Sequence, residues 1–396
     1  MTDRYDVIVI GAGPGGATAA YYLGQAGQRV LVLEKETLPR YKPCGGGLSL
    51  RMLDKMFPFS FEPVIEARVK TATFALGRRE IRVPLPDRGL AMVMRDKFDA
   101  HILAHAKADV RTGMAVRKVI EADDHITVQM SDGAAYEGRF LIGADGAKSV
   151  VARDLGLRRG HAQAAAIEAE LPVTPEIMAR FSHDITFIFA EVRHGYLWVF
   201  PKADHLSVGI GAWRPKPGEL QATLSRVMAR YGIAVDKTQL RGHPLPFYAR
   251  REPISTARAL LVGDAAGLID PLTGEGIRLA IKSGRLAAQA ILSGSLEQYP
   301  DKIFRQIGMS HLWGLGLAFV FFQFQRAFFG LGAFNPLVAQ AFADMLADRG
   351  DYPTTILTVI GSLPIYLFTE GIAALAGLLG GQEGRERVRS FVYAGT

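Results

Sequence analysis

Four glycines near the N-terminus have the spacing of a phosphate-binding turn. They are Gly11, Gly13, Gly15 and Gly16, and they lie between an apolar run at 5–10 and a predicted helix at 17–23. Gly11 permits a tight turn, Gly13 lets the backbone approach a pyrophosphate, and Gly16 lets the helix pack close to the strand. The helix N-terminus offers free N–H groups and a positive dipole to phosphates. The segment therefore predicts a dinucleotide-binding site.

An acidic residue follows this turn at the spacing that such sites require. A second predicted strand at 29–33 ends on Glu34, about 20 residues after the glycines. A carboxylate here accepts hydrogen bonds from both ribose hydroxyls, and its charge repels a 2′-phosphate, so NADP is disfavoured in this site. Lys35, next in the chain, is a further candidate for cofactor binding. The glycine motif alone does not distinguish FAD from NAD.

Three later segments add candidate cofactor-binding residues. A predicted strand at 140–143 lies beyond a hairpin marked by Asp132 and Gly133 and leads into an acidic glycine turn. Another buried strand, at 259–262, leads through a second acidic turn into a predicted helix at 277–292. The candidates from these two segments, together with an arginine at the start of a third predicted helix, are Asp145, Gly146, Gly263, Asp264, Gly274, Gly276, Ile277 and Arg95.

These segments resemble those of the glutathione-reductase-type flavoproteins, particularly the p-hydroxybenzoate hydroxylase-like branch. The resemblance implies that Asp264 holds the ribityl chain of FAD and that Arg95 lies near the cofactor. It also implies that the helix beginning at Ile277 aims its N-terminus at the flavin pyrimidine ring, where a helix dipole stabilises the negative charge of reduced flavin. Four motifs spread over residues 11–276 therefore predict FAD.

Two further strings resemble a narrower family, the geranylgeranyl reductases. One is Lys-Pro-Cys-Gly-Gly at 42–46, and the other is Tyr-Leu-Trp-Val-Phe-Pro at 196–201. The resemblance covers roughly residues 1–300 and implies saturation of double bonds in the polyprenyl chains of chlorophyll precursors, archaeal lipids or quinone tails. The chlorophyll branch usually continues its first string with Ala-Ile-Pro, whereas this chain has Gly47, Leu48 and Ser49. That departure favours a general prenyl-lipid reductase.

The residues of these strings suggest separate roles. In a strand, Tyr196, Trp198 and Phe200 project to one face and could wall a pocket for an apolar substrate over the flavin, although an aromatic stripe is equally typical of sheet core. Tyr196 and Trp198 are also candidate catalytic residues, because their ring faces would stabilise developing positive charge on an alkene. Cys44 is either a proton donor or a small buried hydrophobic residue. Gly45 and Gly46 would let the backbone approach the flavin.

Composition narrows the classes of function and site. Cys44 is the single cysteine among 396 residues, which excludes an internal disulfide framework and fits a reducing cytosol. The apolar run at 5–10 enters a glycine turn and not a cleavage site, so no signal peptide is expected. The net charge is +7, but the arginine pairs are scattered, so no nucleic-acid partner is expected. His101 and His105 are four residues apart without acidic or cysteine partners, and we interpret them as surface histidines and expect no metal.

We predict an α/β protein with a Rossmann-type FAD-binding domain of the p-hydroxybenzoate hydroxylase-like kind. That domain is discontinuous, over about 1–60, 90–160 and 250–300. The segments 61–89 and 161–249 are predicted to form one antiparallel sheet that roofs the flavin as a substrate domain. Residues 301–396 form a C-terminal hydrophobic helical region.

The C-terminal region contains two stretches, 311–337 and 354–381, with the length and apolar character of transmembrane helices. Gln323, Gln325 and Arg326 interrupt the first, and Pro364 and Glu370 interrupt the second. One reading is a buried helical bundle, and the other is a tunnel for a prenyl tail or an interfacial surface. We favour tunnel helices with peripheral membrane contact over a span, in a cytoplasmic enzyme at the inner face of the membrane.

The function predicted from the resemblance is an FAD-dependent reductase. Reduced FAD would deliver a hydride from N5 to an isolated alkene of a polyprenyl lipid, and a proton would add to the other carbon. NADPH or ferredoxin would supply the electrons, since no second glycine fingerprint marks a nicotinamide domain. Two alternatives remain at this point: a flavin monooxygenase on an aromatic or polyene substrate, and a non-catalytic prenyl-binding escort. The particular lipid and the oligomeric state stay open.

Overall fold

A seven-stranded sheet carries the glycine turn in a computed structural model of the chain, which describes residues 4–160, 162–327 and 335–393. Its strands are β1 (Tyr5–Ile10), β2 (Val30–Leu33), β8 (Asp109–Arg111), β9 (Val116–Glu121), β10 (Ile126–Met130), β11 (Ala135–Gly143) and β17 (Ala259–Leu261). The order is β8-β2-β1-β11-β10-β9, with β17 also paired to β11. The strands β8, β2, β1, β11 and β17 run parallel, whereas β9, β10 and β11 form an antiparallel meander that contains the predicted hairpin at Asp132 and Gly133.

Three helices cover the parallel part of this sheet. They are α1 (Pro14–Gln25), α3 (Arg95–Ala104) and α7 (Ile277–Leu292). The strands β1 and β2 are buried along almost their whole length, which explains why they are almost continuously apolar. The predicted helix at 277–292 is confirmed at both ends, whereas α1 begins at Pro14, three residues earlier than predicted, because proline is favoured in the first turn of a helix.

A second seven-stranded sheet draws strands from both segments predicted for the substrate domain. They are β5 (Thr71–Leu76), β6 (Arg79–Pro84), β12 (Gln163–Pro172), β13 (Asp184–Phe189), β14 (Gly195–Pro201), β15 (His205–Trp213) and β16 (Arg241–Pro246). The order is β16-β12-β15-β14-β13-β5-β6. The prediction that this sheet is wholly antiparallel is wrong for one pair, because β5 and β13 run parallel. A long excursion through the first sheet connects them, so no hairpin fixes their relative direction.

The two faces of this second sheet have different neighbours. Leu197 and Val199 point to the face covered by α5 (Pro175–Phe181) and α6 (Glu219–Ala229), where they join a buried apolar core. The predicted alternation along β14 is confirmed, since the aromatic residues at 196, 198 and 200 point to the other face. That face looks onto a cavity.

A small three-stranded sheet lies between the two large ones. It is built from β3 (Gly47–Ser49), β4 (Ile65–Val69) and β7 (Leu90–Val93), in the order β3-β7-β4. The segment 61–89 was expected to enter the roofing sheet as a whole, but β4 pairs with β7 instead. Three short helices lie at separate places in the chain: α2 (Leu50–Met56) after β3, α4 (Val150–Asp154) after β11, and α8 (Tyr299–Ile303) after α7.

The C-terminal region is helical, as predicted. It contains α9 (Met309–Gln323), α10 (Pro336–Leu346) and α11 (Tyr352–Tyr393), and Pro364 lies inside α11 without ending it. Within the described ranges, the stretch Tyr352–Leu378 is the one helix long and apolar enough to cross a membrane, and 22% of its most apolar part is buried. The interpretation as a buried bundle is therefore wrong for this helix. Part of the apolar stretch at 311–337, including Phe328, Phe329 and Phe334, lies outside the described residues.

Two glycines allow α1 and α7 to approach each other at backbone distance. A Cβ added at Gly284 would lie 2.3 Å from the carbonyl oxygen of Gly15, and a Cβ at Gly15 would lie 3.1 Å from that of Ala280. Because both obstacles are backbone atoms, they cannot rotate away. The position of α7 on the first sheet therefore depends on glycine at positions 15 and 284.

We predict that Gly284→Ala destabilises the protein by about 1–3 kcal/mol, because the new methyl group overpacks a contact between two helix backbones. Gly316 in the interior of α9 is a matched control, since a Cβ there would meet no atom of the described residues within 4 Å. Gly316→Ala should be neutral or stabilise by up to about 1 kcal/mol through helix propensity. Urea and thermal unfolding measure both variants, and equal stabilities would contradict the close-approach argument.

Candidate functional site

The glycine turn has the geometry that its sequence predicts. Gly11 adopts a left-handed φ of +98°, and a Cβ there would lie 2.3 Å from the carbonyl oxygen of Ala144. A Cβ at Gly16 would lie 1.9 Å from the carbonyl oxygen of Gly11. These two positions hold α1 against the ends of β1 and β11, so the helix N-terminus points out of the edge of the sheet.

Space in front of this helix N-terminus is bounded by two arginines. Gly13 has a φ of −70°, and among the described residues a Cβ there would meet only guanidinium nitrogens of Arg40 and Arg95, each at 3.8 Å. No side chain caps α1 and its first turn carries no acidic residue. Free N–H groups, a positive helix dipole and two guanidinium groups together suit a diphosphate.

A buried charge network fixes the two arginines. Arg95 is the first residue of α3, as predicted, and its guanidinium donates two hydrogen bonds of 2.8 Å to Asp99. Arg40 donates to the same carboxylate at 3.0 Å and lies 3.7 Å from Glu34. Glu34 is buried and accepts a 2.9 Å hydrogen bond from the backbone of Ala12. Sequence reasoning missed Arg40 and Asp99, although Asp99 stands four residues after Arg95 on one helix face.

The second acidic turn forms an electrostatic cluster of its own. Asp264 follows β17, with Lys42 at 3.8 Å and His243 at 3.5 Å from its carboxylate. Burial by itself would raise the pKa of Asp264, but Lys42, His243 and Arg95 together lower it to about 2. Asp264 is therefore ionised at neutral pH. Lys42 belongs to the predicted signature string, whereas His243 on β16 was missed because it comes from a distant strand.

Two residues predicted to bind the cofactor, Asp145 and Lys35, interact with neighbouring residues of the chain. Asp145 accepts hydrogen bonds from the Ser149 hydroxyl at 2.6 Å and from the Val150 backbone at 2.7 Å, so its carboxylate caps the start of α4. Gly146 beside it has a φ of +79°. Lys35 is exposed, and its ammonium group lies 3.9 Å from Glu36 and is directed to solvent.

One cavity brings the remaining candidates together. Its volume is about 250 Å³, and it lies between the loop at 43–47, the open face of the second sheet, the start of α7, and residues of α9 and α10. The predicted residues that line it are Cys44, Gly45, Gly46, Tyr196, Trp198, Phe200, Gly274, Gly276 and Ile277. The loop residues at 44–46 and the residues at 274–277 therefore share one cavity although more than half of the chain separates them.

Two glycines leave room for the rings of the aromatic wall of this cavity. The Trp198 ring lies over Gly209, where a Cβ would be 2.1 Å from the ring, and Phe200 lies against Gly45 at 2.8 Å from a built Cβ. The Tyr196 hydroxyl donates to the carbonyl of Thr273, just before α7. The wall is thus held against both the loop at 43–47 and the turn that leads into α7.

A buried lysine that sequence reasoning missed joins the sheet to this loop. Lys202 follows β14 directly, and its ammonium group donates to the carbonyl oxygens of Gly45 at 2.7 Å and Val93 at 2.9 Å. Burial lowers the pKa of Lys202, and the carboxylates of Glu170 and Glu168 oppose that shift. Gly46 has a φ of +69°, and a Cβ there would lie 2.1 Å from the Val93 oxygen. The lysine thus fixes a loop whose path only glycine permits.

Comparison with known proteins also indicates an FAD-binding protein. The sequence profile of the FAD binding domain family matches residues 4–294. The chain is 30% identical to the chloroplastic geranylgeranyl diphosphate reductase of Oryza sativa subsp. japonica, over 74% of this chain and 67% of that protein. It is 28% identical to the menaquinone reductase of Mycolicibacterium smegmatis, over 76% of this chain and 79% of that protein.

Solved structures extend the likeness to the fold. A geranylgeranyl bacteriochlorophyll reductase-like protein from Thermoplasma acidophilum superposes with a TM-score of 0.76 at 26% identity, covering 91% of this chain and 96% of that one. A probable FAD-dependent monooxygenase from Pseudomonas aeruginosa has a TM-score of 0.65 at 19% identity, covering 83% and 99%. The second likeness concerns the fold alone.

The residues present fit FAD as the cofactor. The open space before α1, flanked by Arg40 and Arg95, would receive the diphosphate, and Glu34 would receive the ribose of the adenosine half. The N-terminus of α7 has no capping side chain and no acidic residue in its first turn, and Gly276 and Ile277 face the cavity. That end of the cavity would receive the flavin ring.

We predict that Gly13→Val abolishes FAD binding and leaves the fold intact. The backbone of Gly13 is in a region that any residue adopts, so the valine methyl groups would occupy diphosphate space without straining the turn. The flavin absorbance of the purified variant, titration with added FAD and far-ultraviolet circular dichroism measure the two effects. A variant with a normal flavin spectrum would show that the cofactor binds elsewhere.

Proposed function

The chain belongs to the geranylgeranyl reductase family of FAD-dependent oxidoreductases, and on this basis we propose that it saturates carbon–carbon double bonds of a polyprenyl lipid. The observation that carries the proposal is the aromatic wall of Tyr196, Trp198 and Phe200, which lies against the loop at 43–47 (the cofactor loop) in a cavity of about 250 Å³. A wall of this kind suits a flat apolar chain better than a charged metabolite.

The names of the relatives support the same substrate class. Geranylgeranyl diphosphate and menaquinone differ in their head groups, and a polyprenyl chain is the part they share. The departure at Gly47, Leu48 and Ser49 favours a membrane-lipid or quinone-tail substrate over a chlorophyll precursor. We place the enzyme in lipid biosynthesis, with NADPH or ferredoxin as the source of electrons.

The residues of the cavity would orient the alkene and stabilise charge on it. Bound FAD, once reduced, supplies the hydride. Lys202 holds the Gly45 carbonyl in place, so the backbone beside the flavin site keeps a fixed distance from the aromatic wall. The ring faces of Tyr196 and Trp198 stabilise the positive charge that develops on an alkene without an electron-withdrawing group. The apolar walls exclude water from the reacting carbons.

We predict that anaerobic, dithionite-reduced enzyme mixed with a geranylgeranyl lipid is reoxidised as the product gains two hydrogen atoms per flavin. Stopped-flow absorbance and mass spectrometry measure the two events. A monooxygenase on the same fold would leave the alkene untouched without oxygen, and in air it would give a product heavier by one oxygen atom. That result would replace the proposed reaction.

We predict that Trp198→Ala retains FAD and loses activity, because the ring is part of the cavity wall. Tyr136→Ala on β11 is the matched control, since that ring packs against Arg111 and is not among the residues that line the cavity in the described part of the chain. Flavin absorbance and anaerobic turnover measure both variants, and equal activities would contradict a substrate role for Trp198.

We also propose that the C-terminal helices dock the enzyme on the cytoplasmic face of a membrane. The helix α9 contributes Phe321 and Phe322 to the cavity and exposes Trp313 and Phe319 to the outside, the latter to 68%. The neighbouring helix α11 exposes a further set of large apolar side chains: Leu357, Ile360, Ile365, Leu367, Phe368, Ile372, Leu375 and Leu378. Soluble surfaces rarely expose so large an apolar patch. A prenyl tail could pass from the bilayer along α9 into the cavity.

We predict that the wild-type protein floats with vesicles of phosphatidylcholine and phosphatidylglycerol. The Phe319→Glu, Phe368→Glu double variant should float at least about fivefold less, because two large apolar side chains no longer enter the lipid. A double variant with glutamate at Val110 and Ile120, which are exposed apolar residues of the first sheet, is the matched control and should float normally. Release of the wild type by alkaline carbonate is expected, and resistance to it would indicate a membrane span.

A further inference from the structure

The open face of the second sheet changes from aromatic to acidic along a single row of paired residues. Trp198 on β14 pairs with Gly209 on β15, and Gly209 pairs with Glu168 on β12. Residues paired in this way point to the same face, so Glu168 shares the cavity face with Trp198, and Gly209 between them leaves the Trp198 ring room. Glu168 lines the cavity and is only 2% exposed.

Half of the Glu168 carboxyl group is engaged and half is free. Its Oε1 accepts a 2.6 Å hydrogen bond from the hydroxyl of Tyr41, which lies three residues before Cys44 in the cofactor loop. Its Oε2 is buried and accepts no hydrogen bond of ordinary geometry from the residues that the structure describes, although the backbone of Cys44 lies close enough to lower the pKa of the carboxyl group. A buried oxygen beside a ligand cavity without a partner is suited to contact a bound molecule.

The charged and titratable groups around Glu168 come from four elements. They are Tyr41 in the segment just before the cofactor loop, Glu170 on the same strand, Lys202 after β14, and Arg241 and His243 on β16. Lys202 is already bound to two backbone carbonyls, and no ion pair to Glu168 is formed within the described part of the chain. Burial, and then the charge of Glu170, raise the pKa of Glu168 to about 7, while Tyr41, the backbone of Cys44 and Lys202 oppose the rise.

We propose that Glu168 is the proton donor of the reduction, an inference that rests on the proposed function. One alkene carbon takes the hydride supplied by reduced FAD. The neighbouring carbon takes the proton of the Glu168 carboxyl group, so the carbon–carbon π bond and the carboxyl O–H bond break while two C–H bonds form. The product leaves a carboxylate at Glu168, which takes a new proton from water before the next turnover. This assigns to Glu168 the proton-donor role for which Cys44 is a candidate from sequence.

The Glu168→Gln variant tests this assignment. Glutamine keeps the volume of the side chain and can still accept the hydrogen bond from Tyr41, but it cannot donate a proton to carbon. We expect kcat in anaerobic turnover to fall by at least about 100-fold, with FAD binding unchanged and KM within about threefold. Only the neutral carboxyl donates, so wild-type kcat should be full below the pKa of Glu168 and fall as pH rises through about 7. The residual kcat of Glu168→Gln should not fall over this pH range.

Glu170→Gln is the matched control. Glu170 lies on the same strand and face, two residues away, and interacts with His205 at 3.1 Å. Because its negative charge raises the pKa of Glu168, its removal should leave the maximal kcat within about twofold and move the falling limb to lower pH. A general loss of stability in the sheet would produce no such displacement.

A readout independent of turnover is the infrared spectrum of the oxidised holoenzyme. The band of a protonated carboxyl group should be present at about pH 5.5 and lost by about pH 8.5 in the wild type, and Glu168→Gln should lack it. Provided that the wild type saturates the alkene, the role of Glu168 is overturned if Glu168→Gln keeps the carboxyl band or keeps the wild-type kcat and pH profile. Either result leaves the reductase function standing. If the wild type makes no saturated product anaerobically, the function fails and the proton-donor role fails with it.

Discussion

A buried ammonium group holds the two halves of the site at a fixed distance. Lys202 leaves the end of β14 and donates to the carbonyls of Gly45 and Val93, which belong to the cofactor loop and to the small central sheet. A buried lysine without acceptors would be costly, and two buried carbonyls without donors would be equally so. The hydrogen bonds of Lys202 therefore satisfy buried polar groups of both the sheet and the loop. These bonds keep the aromatic wall beside the cofactor loop.

Close backbone approaches set the remaining geometry. The turn at Gly11 and Gly16 fixes α1 at the end of β1, and Gly284 allows α7 to lie directly against α1. The two helix N-termini that would serve FAD, one at its diphosphate and one at its flavin ring, are thereby carried by one packed pair of helices. Small displacements of this pair would separate the positive helix ends from the groups they neutralise.

The side chains that line the cavity change in character from one strand of its wall to the next. Its β13 and β14 side is aromatic, its β15 side is glycine, and its β12 and β16 side carries Glu168 and His243. An apolar chain that lies along the aromatic side would thus place its reacting bond within reach of a carboxyl group, while α9 continues the apolar surface outward. In the proposed function, binding, proton supply and entry of the lipid would follow one direction across the sheet.

The local parts of the site followed from the sequence alone. The strand–turn–helix with Glu34, the alternation of Tyr196, Trp198 and Phe200, and the helix at 277–292 depend on neighbours within a few residues, so their patterns predict them. The tertiary structure alone decided the contacts of Lys202 with Gly45, 157 residues away, and of Tyr41 with Glu168, 127 residues away. It also decided the parallel pairing of β5 with β13. Nothing in a local pattern records which distant groups satisfy one another, because that choice is made by packing, burial and strand register.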